Sequence, residues 1–284
     1  MCRMLAQVSP RPADARVLIA GPECSLLAQA DADPKNPQTD GWGLAWFGAD
    51  GRPRVVKSGR AAPSERERLS RAAGEAVSTI VIAHVRAASK GCPVDDAHAH
   101  PFEDGGWVFA HNGTLAIHRE VAEALGPRRA RLETRSDSEV YFQQFLKHLE
   151  ACGEPSRAFE ACVAENWRIW ESCRARYPGV PAPYTSLNAL ASDGRALHVL
   201  CHAASRGLAE CGVCHPDQPW SVMSESSRGG RWLVSSEGAD RGEWTRLSPP
   251  VSISAVPMPS GVDVRRRALA LSTPQRAVPE VSLA

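Results

Sequence analysis

Segments with strand character arrive in runs along this chain and helical segments stand between the runs, an order that restricts the fold more than any single motif does. Residues 2–8, 41–47 and 54–58 read as strands. Ala49-Asp50-Gly51 supplies a hairpin turn between the last two. Residues 13–30 are richer in alanine and leucine and read as partly helical. Ser64 with Glu67 three residues on is a capping-box pattern that opens a charged helix to about residue 76. Residues 79–83, Thr-Ile-Val-Ile-Ala, form a continuous apolar and β-branched strand, and residues 107–110 repeat the pattern. Two long helices are predicted over 137–149 and 155–176. Strands at 186–191 and 196–202 then flank the turn Ser192-Asp193-Gly194-Arg195, and 231–235 and 251–256 add two more. Strands grouped in this way favour stacked antiparallel sheets covered by helices over a doubly wound parallel sheet.

At 284 residues and 43% hydrophobic content the chain can bury a substantial core. Lys+Arg 33 against Asp+Glu 32 leaves a net charge of +1, which gives no reason to expect a nucleic-acid or anionic-membrane partner. The basic clusters at 128–131 and 265–267 lack interleaved aromatics and read as solvated surface. No apolar run approaches the ~20 residues of a membrane span, and the N-terminus lacks signal-peptide regions, so the expected compartment is the cytoplasm. Residues 257–284 mix Pro, Ser and Arg without periodicity and are expected to be a disordered tail. Nine cysteines in such a setting point to reduced thiols rather than a disulfide framework. Cys211, Cys214 and His215, with Cys201 and His202 nearby, could supply zinc ligands or a c-type haem attachment pattern; unligated thiols in a surface loop are the plainer reading.

The second residue carries the most chemistry. If the initiator methionine is removed, Cys2 holds a thiol with a pKa of ~8.5 and an α-amine of ~7.7–8 on one residue, a nucleophile with a built-in base. Four further segments bear on it. Arg86 leaves the strand at 79–83 where its guanidinium could clamp a carboxylate, or simply pair with a surface acid. Asn112-Gly113 closes another strand with two adjacent donors suited to an oxyanion hole, although Asn-Gly is also a common tight turn. Ser136 or Asp137 could be a plain helix N-cap, and Asp137 could instead accept from an ammonium group. Asp40-Gly41-Trp42-Gly43-Leu44 permits close backbone approach beside the N-terminal strand.

Taken together, Cys2, DGWGLAW at 40–46, AHVRAASKG at 83–91, HPF at 100–102, AHNGTL at 110–115 and SDSE at 136–139 resemble the ordered motif set of the class II glutamine amidotransferases, which are N-terminal nucleophile hydrolases. The likeness is greatest to a stand-alone bacterial subgroup that includes the γ-glutamyl amide hydrolase of ergothioneine biosynthesis, and residues 232–247 also resemble that subgroup. It spans about residues 2–256, a single amidotransferase domain ahead of the tail. The resemblance implies a four-layer α/β/β/α sandwich of two antiparallel sheets and no cofactor. It implies Cys2 as nucleophile with its own α-amine as proton shuttle, Asn112 and Gly113 as oxyanion donors, Arg86 for the substrate α-carboxylate and Asp137 for its α-ammonium.

After Arg86, many members place Trp-Ala-Thr-His where this chain has Ala87-Ala88-Ser89-Lys90, which opens the pocket wall to a substrate larger than glutamine. Three functions follow. The first is a glutaminase or amidotransferase domain, whose ammonia either goes to a separate synthase subunit or is released. The second is a hydrolase of a γ-glutamyl or other larger amide using the same Cys2 chemistry. The third is a non-catalytic zinc-binding or scaffold protein built on the cluster from Cys201 to His215.

Overall fold

The computed structural model describes residues 2–32, 37–89, 91–204, 214–215, 218–219 and 221–269. Among the described residues thirteen strands form two antiparallel sheets. The first contains β1 (Arg3–Ala13), β2 (Trp42–Phe47), β3 (Pro53–Ser58) and β4 (Ser78–Val85). The second begins with β5 (Phe102–Asp104), β6 (Trp107–Asn112), β7 (Asn188–Ser192) and β8 (Leu197–Cys201). The chain then returns to the first sheet with β9 (Ser224–Arg228), β10 (Arg231–Ser235) and β11 (Thr245–Arg246), and ends in the second with β12 (Val251–Met258) and β13 (Gly261–Ala268). Strand order is β11-β9-β10-β1-β4-β2-β3 in one sheet and β13-β12-β8-β7-β6-β5 in the other.

The alternation of side chains along each strand accounts for the layering. On β4, Ile80 and Ile82 face the second sheet, while Val81, Ala83 and Val85 face an outer layer built from α1 (Arg16–Ala20), α2 (Leu26–Ala32) and α3 (Arg66–Glu75). On β6, Val108 and Ala110 meet the first sheet, and Phe109 packs under α4 (His118–Glu123), α5 (Asp137–Cys152) and α6 (Pro155–Cys173). Burial on both faces explains why β4 reads as an unbroken apolar run. The result is the α/β/β/α sandwich expected above.

Helix ends follow local chemistry. Ser136 caps α5 by accepting from the Glu139 N–H, and Gly153 closes it in the left-handed conformation at φ +69°. Glu154 caps α6 by accepting from the N–H groups of Ser156 and Arg157, with Pro155 in the first turn. Among the described residues no helix is long and apolar enough to cross a membrane.

Two expectations are corrected. The capping box at Ser64 does not form: residues Ala62–Glu65 make a 3-10 turn in which the Ser64 hydroxyl donates to the Ala61 carbonyl, and α3 starts only at Arg66. The stretch expected to be a tail from residue 257 instead contains β13, paired with β12 from Val251↔Ala268 to Met258↔Gly261. Its arginines obscured the strand in the sequence: Arg265 pairs with Asp263 on the strand itself, but the other two find partners elsewhere in the chain. Arg266 pairs with Glu225, and Arg267 with Glu154 and Glu160. Residues 270–284 lie outside the described residues.

Candidate active site

Register brings the site together. In the β1–β4 pair, Arg3 faces Val85 and Met4 faces His84, so one step further Cys2 stands beside Arg86 and its thiol donates to the Ala87 carbonyl at 3.4 Å. On the other flank of β4, Trp42 faces Val85 and the Arg86 N–H donates to the Gly41 carbonyl. The glycines of the DGWGLAW segment are needed for space. A Cβ on Gly43 would lie 2.2 Å from the His100 carbonyl oxygen, so the loop carrying His100 crosses β2 in direct backbone contact.

One narrow cleft is lined by Cys2, Arg86, Cys92, His100, Gly113 and Asp137, among others. Arg86 is almost fully buried, and one of its terminal nitrogens donates to the carbonyls of Asp40 (3.3 Å) and Pro93 (2.9 Å). Asp40 in turn accepts from the Ala88 N–H at 2.8 Å, fixing the start of the loop after β4. Asp137 opens α5, and one of its carboxylate oxygens accepts from the Leu115 N–H at 3.0 Å. Gly113 has no room for a side chain, since a Cβ would meet the Ser186 carbonyl oxygen at 2.0 Å. Asn112 does not line the cleft among the described residues. It sits behind Gly113, fully buried, with Nδ2 donating to the Ser236 hydroxyl at 3.3 Å and Oδ1 without a partner.

The turn holding Asn112 and Gly113 rests on histidines. His111 Nε2 donates to the Ser186 carbonyl at 3.0 Å, which leaves Nδ1 to accept from the Ser138 hydroxyl at 3.0 Å. His84 Nε2 donates to the His111 carbonyl at 3.2 Å, and its ring stacks on His100 with centroids 4.2 Å apart. Burial pushes all three imidazoles below their ordinary pKa, His84 to about 3, so all three are neutral near pH 7. Burial pushes the Cys2 thiol up, opposed in part by the positive charge of Arg86 nearby. A thiol in that state needs a base close at hand to act as a nucleophile.

Ser236, which anchors both the Asn112 amide and the Met4 N–H, was not singled out in the sequence, nor was Cys92. No local signal marks either one. The HPF motif did mark His100, without indicating a role for it.

Among the described residues the late cysteine cluster does not assemble into a metal centre. Cys214 is disulfide-bonded to Cys24, 190 residues away, and so is neither a free ligand nor a reduced thiol. The N–H groups of Cys214 and His215 both donate to Glu237 Oε1, and His215 Nε2 donates to the Asp240 carbonyl at 3.0 Å. Cys211 lies outside the described residues. Among the described residues no group of three or more potential metal ligands occurs. The zinc reading and the expectation of uniformly reduced cysteines are both corrected on this ground.

A family model for class II glutamine amidotransferases matches residues 1–218, well over half of the sequence. The chain belongs to the class II glutamine amidotransferases. Within this family, a gamma-glutamyl-hercynylcysteine sulfoxide hydrolase from Mycolicibacterium smegmatis is 28% identical over 155 residues, covering 53% of this chain and 66% of that protein. A protein of the same name from Mycobacterium tuberculosis is 30% identical over 161 residues, covering 54% and 64%. The alignments therefore cover just under two thirds of these relatives' own length. Among solved structures, a glutamine aminotransferase class-II domain protein from Silicibacter pomeroyi superposes with a TM-score of 0.64 at 21% identity, covering 95% of this amidotransferase chain and all of the other. The glutamine phosphoribosylpyrophosphate amidotransferase of Bacillus subtilis gives 0.60 at 14% identity, covering 93% and 49%. At these identities the superpositions speak for the shared sandwich fold alone.

Proposed function

We propose that this chain is an N-terminal-cysteine amidohydrolase that opens the side-chain amide of a γ-glutamyl substrate through a thioester on Cys2. The observation that carries the reading is that Cys2, one buried cation (Arg86), one carboxylate (Asp137) and Gly113 line a single narrow cleft. An amide that is also an amino acid can be held by its two charged ends so that its third group meets the nucleophile, which lowers the entropic part of the barrier. Arg86 takes the α-carboxylate and Asp137 the α-ammonium. Cys2 Sγ attacks the amide carbon and its α-amine carries the thiol proton to the departing nitrogen; the Gly113 N–H holds the oxyanion together with the Asn112 amide, whose second N–H is not taken up by Ser236 and turns toward the cleft when substrate is bound. Water then hydrolyses the thioester to glutamate. The α-amine is available only once Met1 has been removed, and an intact mass of the purified protein should lack that methionine.

Glutamine is the simplest substrate of this class, and with it the ammonia would go to a separate synthase subunit or to solution. A second reading, a larger γ-glutamyl amide, is favoured by the small Ala87-Ala88 wall and by the names of the two mycobacterial relatives. Glutamate release from glutamine should be measured against a panel of N-substituted γ-glutamyl amides. Faster turnover of the substituted amides selects the second reading, faster turnover of glutamine selects the first, and no glutamate from any of them rejects both. The cytoplasm is the compartment proposed for this activity. Most of the chain, at least residues 2–256, is proposed to form the one amidohydrolase domain.

A further inference from the structure

His100 is 3% exposed, lines the Cys2 cleft, and among the described residues finds no hydrogen-bond partner for either ring nitrogen. That sets it apart from its neighbours. His111 also lines the cleft but has committed both nitrogens, to Ser138 and Ser186. His84 has committed one, to the His111 carbonyl. The His100 ring cannot turn away to find partners. It is stacked on His84 at 4.2 Å and an interplanar angle of 25°, it meets the edge of Phe102 at 4.8 Å and 75°, and its backbone is pressed against Gly43.

A neutral imidazole carries one donor and one acceptor, and leaving both idle in a buried place is costly enough that native structures rarely do so without a ligand or an ordered water. The surroundings keep this ring neutral: burial, together with His84, His111, Arg86 and Lys57, holds it well below the usual histidine range. Its lone pair is therefore available at any physiological pH. The charged ends of a glutamyl substrate already have an ion of opposite sign each in the cleft. An uncharged donor–acceptor pair suits an uncharged ligand that also both donates and accepts, which is water.

We propose that His100 holds the water molecule that hydrolyses the Cys2 thioester. This rests on the thioester reading given above. The water oxygen forms a bond to the acyl carbon while one of its hydrogens is hydrogen-bonded to the imidazole. That carbon's bond to Cys2 Sγ then breaks and the electron pair leaves on sulfur. One water proton passes to the Cys2 α-amine and from there to the sulfur, so the products are the glutamate side-chain acid and the free thiol. His100 is neutral before and after. Its contribution falls on the second half of the reaction, when the amine has left and water must be held in place of it.

The test uses the full-length protein with γ-glutamyl-p-nitroanilide, whose nitroaniline release reports acylation, and with glutamine. His100→Phe keeps a flat ring against His84 and Phe102 and removes both nitrogens; His100→Gln keeps a donor and an acceptor. For His100→Phe, the first turnover should release nitroaniline at close to the wild-type rate. Steady turnover should fall about 10²-fold, the scale expected when a reactant is no longer positioned. The acyl adduct on Cys2 should accumulate in intact-mass spectra of acid-quenched samples, and added hydroxylamine should restore turnover by giving the γ-glutamyl hydroxamate. His100→Gln should recover part of the steady rate. The proposal is overturned if neither variant accumulates the adduct, if first-turnover and steady rates fall in step, or if His100→Phe turns over like the wild type. A wild-type protein that never acylates Cys2 with either substrate overturns the thioester reading as well.

Discussion

The middle of the sandwich and its mouth are built from the same strands and obey opposite rules. In the middle, β1 contributes Ala6 and Val8, β4 contributes Ile80 and Ile82, β6 contributes Val108 and Ala110, and β10 contributes Trp232 and Val234. One to four residues further along those strands, at the end they share, stand Cys2 and Arg3, His84 and Arg86, His111 and Asn112, Ser235 and Ser236. Nearly all of these are buried, yet none is aliphatic or aromatic hydrocarbon. Arg3 and Glu237 are an ion pair at 3.6 Å with side chains only 9% and 2% exposed, an arrangement that costs desolvation energy. The unmade hydrogen bonds of His84, His100 and Asn112 add to that cost. Burial of hydrocarbon in the middle offsets this expense at the mouth, and the sheet transmits the rigidity that keeps the polar end in register.

The largest expected effect separates the two regions outright. Replacing Cys2 with alanine removes the nucleophile from the mouth and leaves the middle untouched. Turnover of any γ-glutamyl amide should fall on the order of 10⁶-fold, the scale seen when a nucleophile is deleted. Stability in urea melts should change by less than about 1 kcal/mol, because among the described residues the thiol's one hydrogen bond is a 3.4 Å contact with the Ala87 carbonyl. A Cys2→Ala protein that unfolds, or that retains turnover, would contradict the division of labour between the two regions.

Most of the middle was legible in the sequence, because burial on both faces writes an unbroken apolar run such as Thr79-Ile80-Val81-Ile82-Ala83 and needs no knowledge of partners. The motif residues at the mouth were legible as candidates, through a resemblance and through residue chemistry. What brings them together is a register, Arg3 opposite Val85 on one side and Trp42 opposite Val85 on the other, which no local pattern fixes. Features that depend on long-range pairing stayed hidden for the same reason. The Cys24–Cys214 bridge joins residues 190 apart, Arg266 and Arg267 of β13 find acids on β9, α6 and its cap, and Ser236 matters because the Asn112 amide and the Met4 N–H land on it. His100 was visible as part of a motif, but its idle nitrogens can be seen only once every neighbour is in place.

A middle-sized effect should appear when the other region is struck. Ile82 is fully buried between the sheets, so Ile82→Ala leaves a cavity as well as losing transfer energy, at a cost of about 3 kcal/mol. Read as kcat per folded molecule at a temperature where the variant is still native, activity should stay within about twofold of the wild type. A large loss of kcat in fully folded Ile82→Ala would mean that packing in the middle sets catalytic geometry directly, and the comparison would have to be redrawn.

The smallest and most graded effect is the share of acid sensitivity that a single ring contributes. His84, His100 and His111 at the mouth all have folded-state pKa values lowered chiefly by burial, His84 to about 3, and burial brings His198 on β8 and His202 just after it to about 4. The unfolded chain binds these protons near pH 6.5 and the native state does not. The stability they allow is therefore complete above about pH 6.5 and is lost as the pH falls from there toward the folded-state values, at up to ~1.4 kcal/mol per pH unit for each ring. Urea melts at a series of pH values between 7.5 and 5 should show this slope. His100→Phe keeps the stack and deletes one titrating group, so its slope below pH 6 should be shallower than that of the wild type by about one proton. An unchanged slope would mean that His100 is charged in the native state, a ring unable to lend its lone pair to a water; a shallower one ties the acid sensitivity of the fold to the same buried imidazole that faces the nucleophile.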